Sequence, residues 1–493
     1  MKKRAAPRIA AGAAVLLLAF SGIPASALIP GQSYVYDAFY QPVYSPDAYT
    51  ASRVISGATL GTGNFNEPSR VYCDSSDQIY ISDTKNNRLI VLHPDLSLKT
   101  ILTSMRMADG TQTQFNMPRA VFERDGKLYI CDTGNNRILI CGEDGVVQRQ
   151  ITKPDSEMFS QSLEFSPTDI VVNSSGLLYV SLDGIYQGLA VFSPEGEFDG
   201  YYGSNQVQMT FSNMATLLWK KIAPKTMKDN MQRFVPVQYS SLCIDEEDFI
   251  IASVSDSSGH ERLRKLNPLG HNILAENAFF GDYQSYTYRG TTYSSNLISV
   301  SVTQKKYYTA LDRRGKKLFQ YSEDGDLLTV FGGGGSYAGC FIDPVSVCSQ
   351  GDRLLVLDSS SGEVTVFTPT AFGEKLHEAI DRYADGLYAE SLPYWDDILK
   401  MDSAYKLAHM AYGKVNYQLG NFGEAMEYFR KANDREQYSK AKEQYRKEFI
   451  SQNFTIICVC LAVTFIGLMA LIRSGLLRRG LRWLSGIITR LFR

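Results

Sequence analysis

The chain has 493 residues, with 50 Lys and Arg, 52 Asp and Glu and 5 His, for a formal net charge of −2. Four basic residues lie within the first eight positions and six within residues 473–493, so the rest carries 40 basic against 52 acidic residues, a net of −12. That sign excludes a nucleic-acid partner, whose phosphates need the opposite charge, while the length leaves room for two or more domains.

Met1-Lys2-Lys3-Arg4, with Arg8 behind it, forms a positive segment ahead of the apolar run 9–20, and Ala25-Ser26-Ala27 supplies small residues for cleavage. The run is too short for a bilayer, which takes about 20 residues, so residues 1–27 read as a cleaved secretory signal. No Cys stands near the cleavage point to accept a lipid.

The middle of the chain is repetitive. NEPSRVYCDSSDQIYISDTKNNRLIVL begins at Asn66 and NMPRAVFERDGKLYICDTGNNRILI at Asn116, with weaker copies from Pro167, Ser241, Ile298 and Pro344. Each copy has a leading strand, a polar turn, a second strand, and then a turn into a third strand. A unit of four short strands recurring every ~40–50 residues cannot bury both faces alone, so six copies predict a mainly β, six-bladed propeller over residues 28–370. The last copy has three strands, and residues 51–56 read as the missing fourth, which would close the ring and remove an edge. The tyrosine-rich residues 34–49 are expected to pack against that closure.

The turns Asp83-Thr84-Lys85-Asn86-Asn87-Arg88 and Asp132-Thr133-Gly134-Asn135-Asn136-Arg137 carry a family likeness. They resemble the NHL repeat, and with the segments described next the chain resembles the membrane-anchored NHL-repeat proteins of Gram-positive bacteria. The match is weaker at Asp312 and Asp358, and Leu182 spoils it in the third copy. The resemblance implies fold more than function. Asp83 and Asp132 are expected to accept backbone N–H bonds in their turns, with Arg88 and Arg137 making carboxylate pairs.

Positions that differ between copies around an axis are where a ligand site arises. Arg70, Ala120, Asp169 and Ser346 align at the head of the leading strands, making Arg70, Arg119 and Asp169 the ligand candidates. Residues 211–234, between the third and fourth copies, carry Met214, Leu217, Leu218 and Ile222 at helical spacing, interrupted by Pro224. This insertion is expected to cap the same rim, with Trp219 as an anchor for a partner.

Propellers also host enzymes, among them gluconolactonase-like calcium hydrolases and the lyase domain of peptide amidation. His93, His260 and His271 do not form a metal triad pattern, so no metal site is assigned. Asp169, Asp245 and Asp343 lie near leading strands and leave a calcium site open as the alternative. No Gly-x-Ser-x-Gly elbow or His-Glu-x-x-His helix occurs, and Gly332-Gly333-Gly334-Gly335 lacks the Lys-Ser/Thr of a phosphate loop, reading instead as a flexible connection. The cysteines at 73, 131, 141, 243, 340, 348, 458 and 460 show no CxxC and no dense spacing, which disfavours a disulfide scaffold.

After Thr370 the pattern becomes helical. Segments from Gly386 and Gly420 match at an offset of 34, pairing Ser391 with Ala425, Trp395 with Phe429 and Ile398 with Ala432, as in tetratricopeptide repeats. Residues 371–452 thus predict a TPR-like helical module. Residues 454–472 are 19 uncharged apolar residues, a membrane-spanning helix by length and composition. The tail 473–493 carries six arginines and no acid, which assigns it to the cytoplasm and the bulk of the chain to the outside, with one helical side of the tail apolar.

The modules favour a non-enzymatic, membrane-tethered recognition or scaffold protein. The propeller would bind a protein, glycan or cell-wall ligand, and the helical module would couple to a membrane or cell-surface partner. A calcium-dependent surface hydrolase or lactonase is the alternative. A role in a transporter complex follows loosely from the resemblance.

Overall fold

The computed structural model describes residues 31–473 except 38, 160, 204–237, 255–261, 275–277, 289–290, 304 and 306. The expected signal (1–27), the insertion 211–234 with Trp219, His260 and the tail beyond Arg473 lie outside the described residues. The chain divides into two compact units, residues 1–381 and 382–493.

Each repeat folds into one antiparallel sheet. In the first, Arg70–Cys73, Ile79–Asp83, Arg88–Leu92 and Leu98–Leu102 pair in sequence order. Burial falls outward: every residue of Ile79–Asp83 is buried, whereas Leu98–Leu102 is exposed apart from a half-buried Leu102. This explains the composition, because a strand covered on both faces reads as continuous Ile, Val and Leu, and an outer strand does not. The second sheet (Pro118–Arg124, Lys127–Asp132, Arg137–Cys141, Val146–Ile151) gains the hairpin Ser104–Met107 and Gln112–Gln114 on its outer strand. The third runs Pro167–Val172, Leu178–Leu182, Leu189–Phe192 and Phe198–Tyr202, and the fifth runs Leu297–Val302, Tyr308–Asp312, Lys317–Tyr321 and Leu327–Gly334.

In the sixth, Pro344–Gln350, Arg353–Asp358 and Glu363–Pro369 are completed by Tyr49–Ser56, which pairs antiparallel with Glu363–Pro369. The N-terminal strand therefore supplies the fourth strand of the last repeat. The leading strands of successive repeats touch one another, and that of the sixth touches that of the first. The arrangement is a β-propeller. Five of its sheets reach four strands; the fourth has three among the described residues, Tyr239–Ile244, Ile250–Val254 and Leu263–Leu266, followed by a single bridge from Leu266 to Asn272.

Two expectations are corrected. Gly31–Tyr36 and Pro42–Tyr44 form a hairpin, but it pairs with Leu327–Gly334 and extends the fifth sheet rather than packing at the closure. The physical cause is a buried polar cluster: Tyr36 Oη donates to Asp282 Oδ1 at 2.7 Å, Tyr34 Oη to Asp282 Oδ2 at 3.1 Å, and Lys317 Nζ reaches Asp282 at 2.8 Å. The second correction concerns Gly332–Gly334, which is no free connection. Gly332 faces Gly31 of the neighbouring N-terminal strand, and Gly333 and Gly334 pair with Cys340 and Phe341. A Cβ on Gly332, at φ 80°, would sit 3.1 Å from the Phe341 ring.

Helix α1 (Ala371–Ala384) opens the C-terminal helical part, and its first turns belong to the propeller unit. His377 is buried there, stacked on Tyr307 at 4.6 Å, with Nε2 3.0 Å from Gln320 Oε1, while Gln320 Nε2 donates to Tyr49 Oη at 2.9 Å. Tyr307 Oη also donates to the His377 carbonyl and contacts Asp381. Burial lowers the imidazole pKa from 6.5 to about 4. The unfolded chain therefore binds the proton first. Stability should be complete above pH ~6.5 and fall by about 3 kcal/mol as the pH drops toward 4. Urea midpoints across that window should show this loss, and His377→Gln should remove its share of the slope.

The second unit carries α2 (Tyr388–Met401), α3 (Lys406–Gln418), α4 (Phe422–Lys431), α5 (Arg435–Gln452) and α6 (Phe454–Arg473). The aligned residues at offset 34 are its core: Ser391, Trp395 and Ile398 on α2, and Ala425 and Phe429 on α4 with Ala432 just after it. Close approach depends on Gly413 of α3, where a Cβ would lie 2.5 Å from the Phe429 ring. Helix α5 buries only Ala441 and begins on Asp434, whose side chain accepts from Gln437 N. Helix α6 is apolar and exposes Phe454, Ile456, Val459, Leu461, Val463, Phe465, Ile466 and Met469 by more than half each. Among the described residues no single helix is long and apolar enough to cross a membrane; α5 and residues 454–470 of α6 pass together as a pair bent by 72°.

Candidate functional site

The repeat turns are built from the aspartates. Asp83 accepts Asn66 N at 2.7 Å, Asn86 Nδ2 at 2.8 Å and Arg88 Nε at 2.7 Å; Asp132 accepts Asn116 N, Asn135 Nδ2 and Arg137 Nε at 2.8, 2.8 and 2.7 Å. Both carboxylates are fully buried. The second Asn of each turn, Asn87 or Asn136, takes φ 53°, the left-handed conformation that Asn tolerates. Thr84 and Thr133 donate to the carbonyls of Pro118 and Pro167 in the next sheet, at 2.9 and 2.6 Å. Each residue of the motif thus fixes either its own turn or the seam to its neighbour.

Asp312 and Asp358 occupy the same place in the fifth and sixth sheets, and Leu182 and Val254 replace them in the third and fourth. Asp312 accepts Asn296 N at 2.9 Å and Ser295 Oγ at 2.6 Å; Asp358 accepts Ile342 N and Asp343 N at 2.6 and 2.9 Å. Arg262 of the fourth repeat is buried and donates to the Phe280 carbonyl at 3.0 Å.

One residue before each turn partner, the leading strands place Arg70, Ala120, Asp169, Ser241, Ser299 and Ser346 at one level around the axis. Four of these side chains bond to the next sheet. Asp169 accepts Leu242 N at 2.8 Å, Ser241 accepts Val300 N at 3.4 Å, Ser299 accepts Val347 N at 3.1 Å and Ser346 accepts Val71 N at 3.2 Å. Arg70 and Ala120 have no acceptor to offer. Their two seams are the ones bridged by Thr84 and Thr133.

Arg70 instead reaches across the axis. Its Nη1 lies 2.8 Å from Asp169 Oδ2 and donates to Ser241 Oγ at 2.6 Å, and its Nη2 donates to the Leu242 carbonyl at 2.8 Å. Burial raises the Asp169 pKa, and the Arg70 charge opposes that shift. This bridge divides the channel into two cavities. On the rim of the repeat turns, a space of about 330 Å³ is lined by Arg70, Arg119, Thr168, Asp169, Ser240 and Arg313 among others. At the opposite end, one of about 340 Å³ is lined by Glu123, Arg124, Asp245, Glu246 and the thiols of Cys73, Cys243 and Cys348 among others.

Arg119 is exposed at the first mouth and makes no side-chain hydrogen bond or ion pair among the described residues. Arg313 shares that mouth and holds Asp343 in a bidentate pair at 2.6 and 2.7 Å. The structure therefore joins Arg70, Arg119 and Asp169 in one place. Sequence alignment misses Arg313, and it misses Ser241 and Ser299, although both stand at the position it singles out.

The calcium alternative requires carboxylates that meet, and these do not. Asp169 is held by Arg70, Asp343 by Arg313, and Asp245 caps its own turn through Glu247 N and Phe249 N at the far end of the channel. Among the described residues no group of three His, Cys, Asp or Glu side chains is placed to hold a metal. Among the described residues, the set Asp169, Asp245 and Asp343 does not fit a resident cation.

No family model matches the sequence. No curated protein matches it either. Similar solved structures are propellers. Virginiamycin B lyase from Staphylococcus aureus is 10% identical over 65% of this chain and 100% of that one, with a TM-score of 0.39. A gluconolactonase from Xanthomonas campestris is 10% identical over 70% and 99%, at 0.37, and the calcium-binding protein regucalcin from Agrobacterium tumefaciens 14% identical over 61% and 90%, at 0.35. At these identities the likeness is one of fold, and no chemistry transfers with it.

Proposed function

We propose that this chain is a membrane-tethered, extracytoplasmic recognition protein of the six-bladed NHL type, whose propeller mouth binds a ligand bearing a carboxylate or phosphate. The single observation behind this reading is the free, exposed guanidinium of Arg119 beside Arg70 and Arg313 at a polar cavity whose floor is sealed by the Arg70–Asp169 bridge. Planar guanidinium groups suit bidentate capture of such anions. The Arg70 and Asp169 side chains are engaged with each other at the axis, which leaves the Arg119 guanidinium as the cation at this mouth open to a ligand. With the three-stranded fourth sheet counted as a blade the ring has six, and the helix pairs of the second unit, TPR-like in their spacing, couple the protein to a partner at the membrane.

Glucuronate and inorganic phosphate serve as minimal probes. Wild type should bind at least one in a calorimetric titration, and Arg119→Glu should lose that binding while changing stability by less than about 0.5 kcal/mol, as expected for an exposed side chain. Probes that bind neither protein sink the reading of the mouth.

The tether is carried by α6, whose exposed apolar side chains match a lipid surroundings rather than water. Truncation after Gln452 should move the protein from the membrane fraction into the medium. Recovery of the truncated protein in the membrane pellet argues against this anchor.

A further inference from the structure

We propose that Cys73 and Cys348 are a redox-active thiol pair that closes to a disulfide across the seam between the first and last repeats. This is independent of what the mouth binds. The leading strand of the sixth sheet presents alternate side chains to the first sheet. Ser346 Oγ accepts from Val71 N and donates to the Val71 carbonyl at 3.3 Å, while Gln350 Nε2 donates to the carbonyls of Asp77 and Pro94 at 3.0 and 2.9 Å. Cys348 stands midway between them. With a side-chain period of two, it faces the same neighbour.

On that neighbour, Cys73 lies two residues beyond Val71, as Cys348 lies two beyond Ser346, so the Ser346–Val71 contact carried one side-chain period along both strands brings the two cysteines to the same seam. Both pack in the apolar cluster formed by Val71, Ile79 and Ile81 of the first sheet with Leu355 and Leu357 of the sixth. Both also line the 340 Å³ cavity, which gives a small reagent a route to them. Burial and the neighbouring thiol hold the Cys73 pKa well above the ordinary range, so exchange should be slow but thermodynamically open. Cys243 lines the same cavity from the fourth sheet and is the built-in control.

The oxidant is a low-molecular-weight disulfide. One protein thiolate attacks it, forming a mixed disulfide and releasing one small thiol; the second protein thiolate then displaces the other small thiol. Two protein thiols and one external disulfide become one protein disulfide and two external thiols. The residues are 275 positions apart, which is why Cys spacing gives no hint of the pair. Closing so long a loop restricts the unfolded chain strongly, so oxidation should stabilise the ring.

The test uses the full chain in detergent, incubated with oxidised glutathione or with dithiothreitol, then alkylated under denaturing conditions and mapped by mass spectrometry. The expected result is a linked peptide joining Cys73 to Cys348, the loss of two alkylatable thiols, and a higher unfolding midpoint, all reversed by dithiothreitol. Cys348→Ser and Cys73→Ser should each abolish the link and the midpoint rise, leaving a glutathione adduct on the remaining thiol. Cys243→Ser should change neither. The proposal is overturned if the wild type keeps every thiol alkylatable, if the linked peptide joins other cysteines, or if Cys348→Ser shows the same rise.

Discussion

Asp132→Ala should destabilise the propeller by about 3–5 kcal/mol, because it strands a buried charge rather than merely deleting a bond. Three donors lose their acceptor at once: Asn116 N, Asn135 Nδ2 and Arg137 Nε. The Arg137 side chain is only 11% exposed, so water cannot replace the carboxylate at little cost. Asp83→Ala should behave alike, since Arg88 is held in the same geometry. The sixth sheet supplies the contrast. Asp358 accepts four backbone N–H groups, from Ile342, Asp343, Ser360 and Ser361, but position 363 is Glu and among the described residues no guanidinium pairs with this carboxylate. Asp358→Ala leaves unsatisfied amides without a stranded charge and should cost about 1–3 kcal/mol. Urea midpoints at constant slope measure the difference. Equal losses at 132 and 358 would show that the Arg137 pair adds nothing.

Why the repeats are readable from sequence, and where reading stops, follows from these same residues. The Asp-to-Arg turn closes within six residues, so its chemistry is local and leaves a pattern. Leu182 and Val254 fill the aspartate's place with apolar atoms, and the third and fourth copies fade accordingly. The hairpin at Tyr34 and Tyr36 is different in kind. Its partners, Asp282 and Lys317, lie more than 240 residues away, and no local pattern encodes that meeting. The candidate site divides along the same line. Alignment brings out Arg70 and Asp169 because they break a row otherwise filled by small residues. That they break it together, each answering the other's charge across the axis, is a fact of three-dimensional closure. Arg313 shares the mouth because the turn of the fifth sheet leans toward Asp343 of the sixth, another contact between repeats.

The axis bridge gives the second large effect, and its two halves should be unequal. Asp169→Ala leaves Arg70 nearly buried with a charge unanswered and removes the acceptor from Leu242 N, so about 3–5 kcal/mol should be lost. Arg70→Ala should cost less, about 1–3 kcal/mol. Asp169 keeps its bonds from Leu242 N and Ile170 N, and burial already favours its neutral form. Replacing both, as Arg70→Met with Asp169→Leu, removes the charges together with their desolvation cost and should be milder than the sum of the single changes. A double-mutant cycle by urea denaturation measures that coupling, and additive losses would mean that the two groups do not depend on each other. The same double variant separates keystone from mouth. If probe binding persists without the bridge, recognition resides in Arg119 and Arg313, and the Arg70–Asp169 pair serves only to seal the channel beneath them.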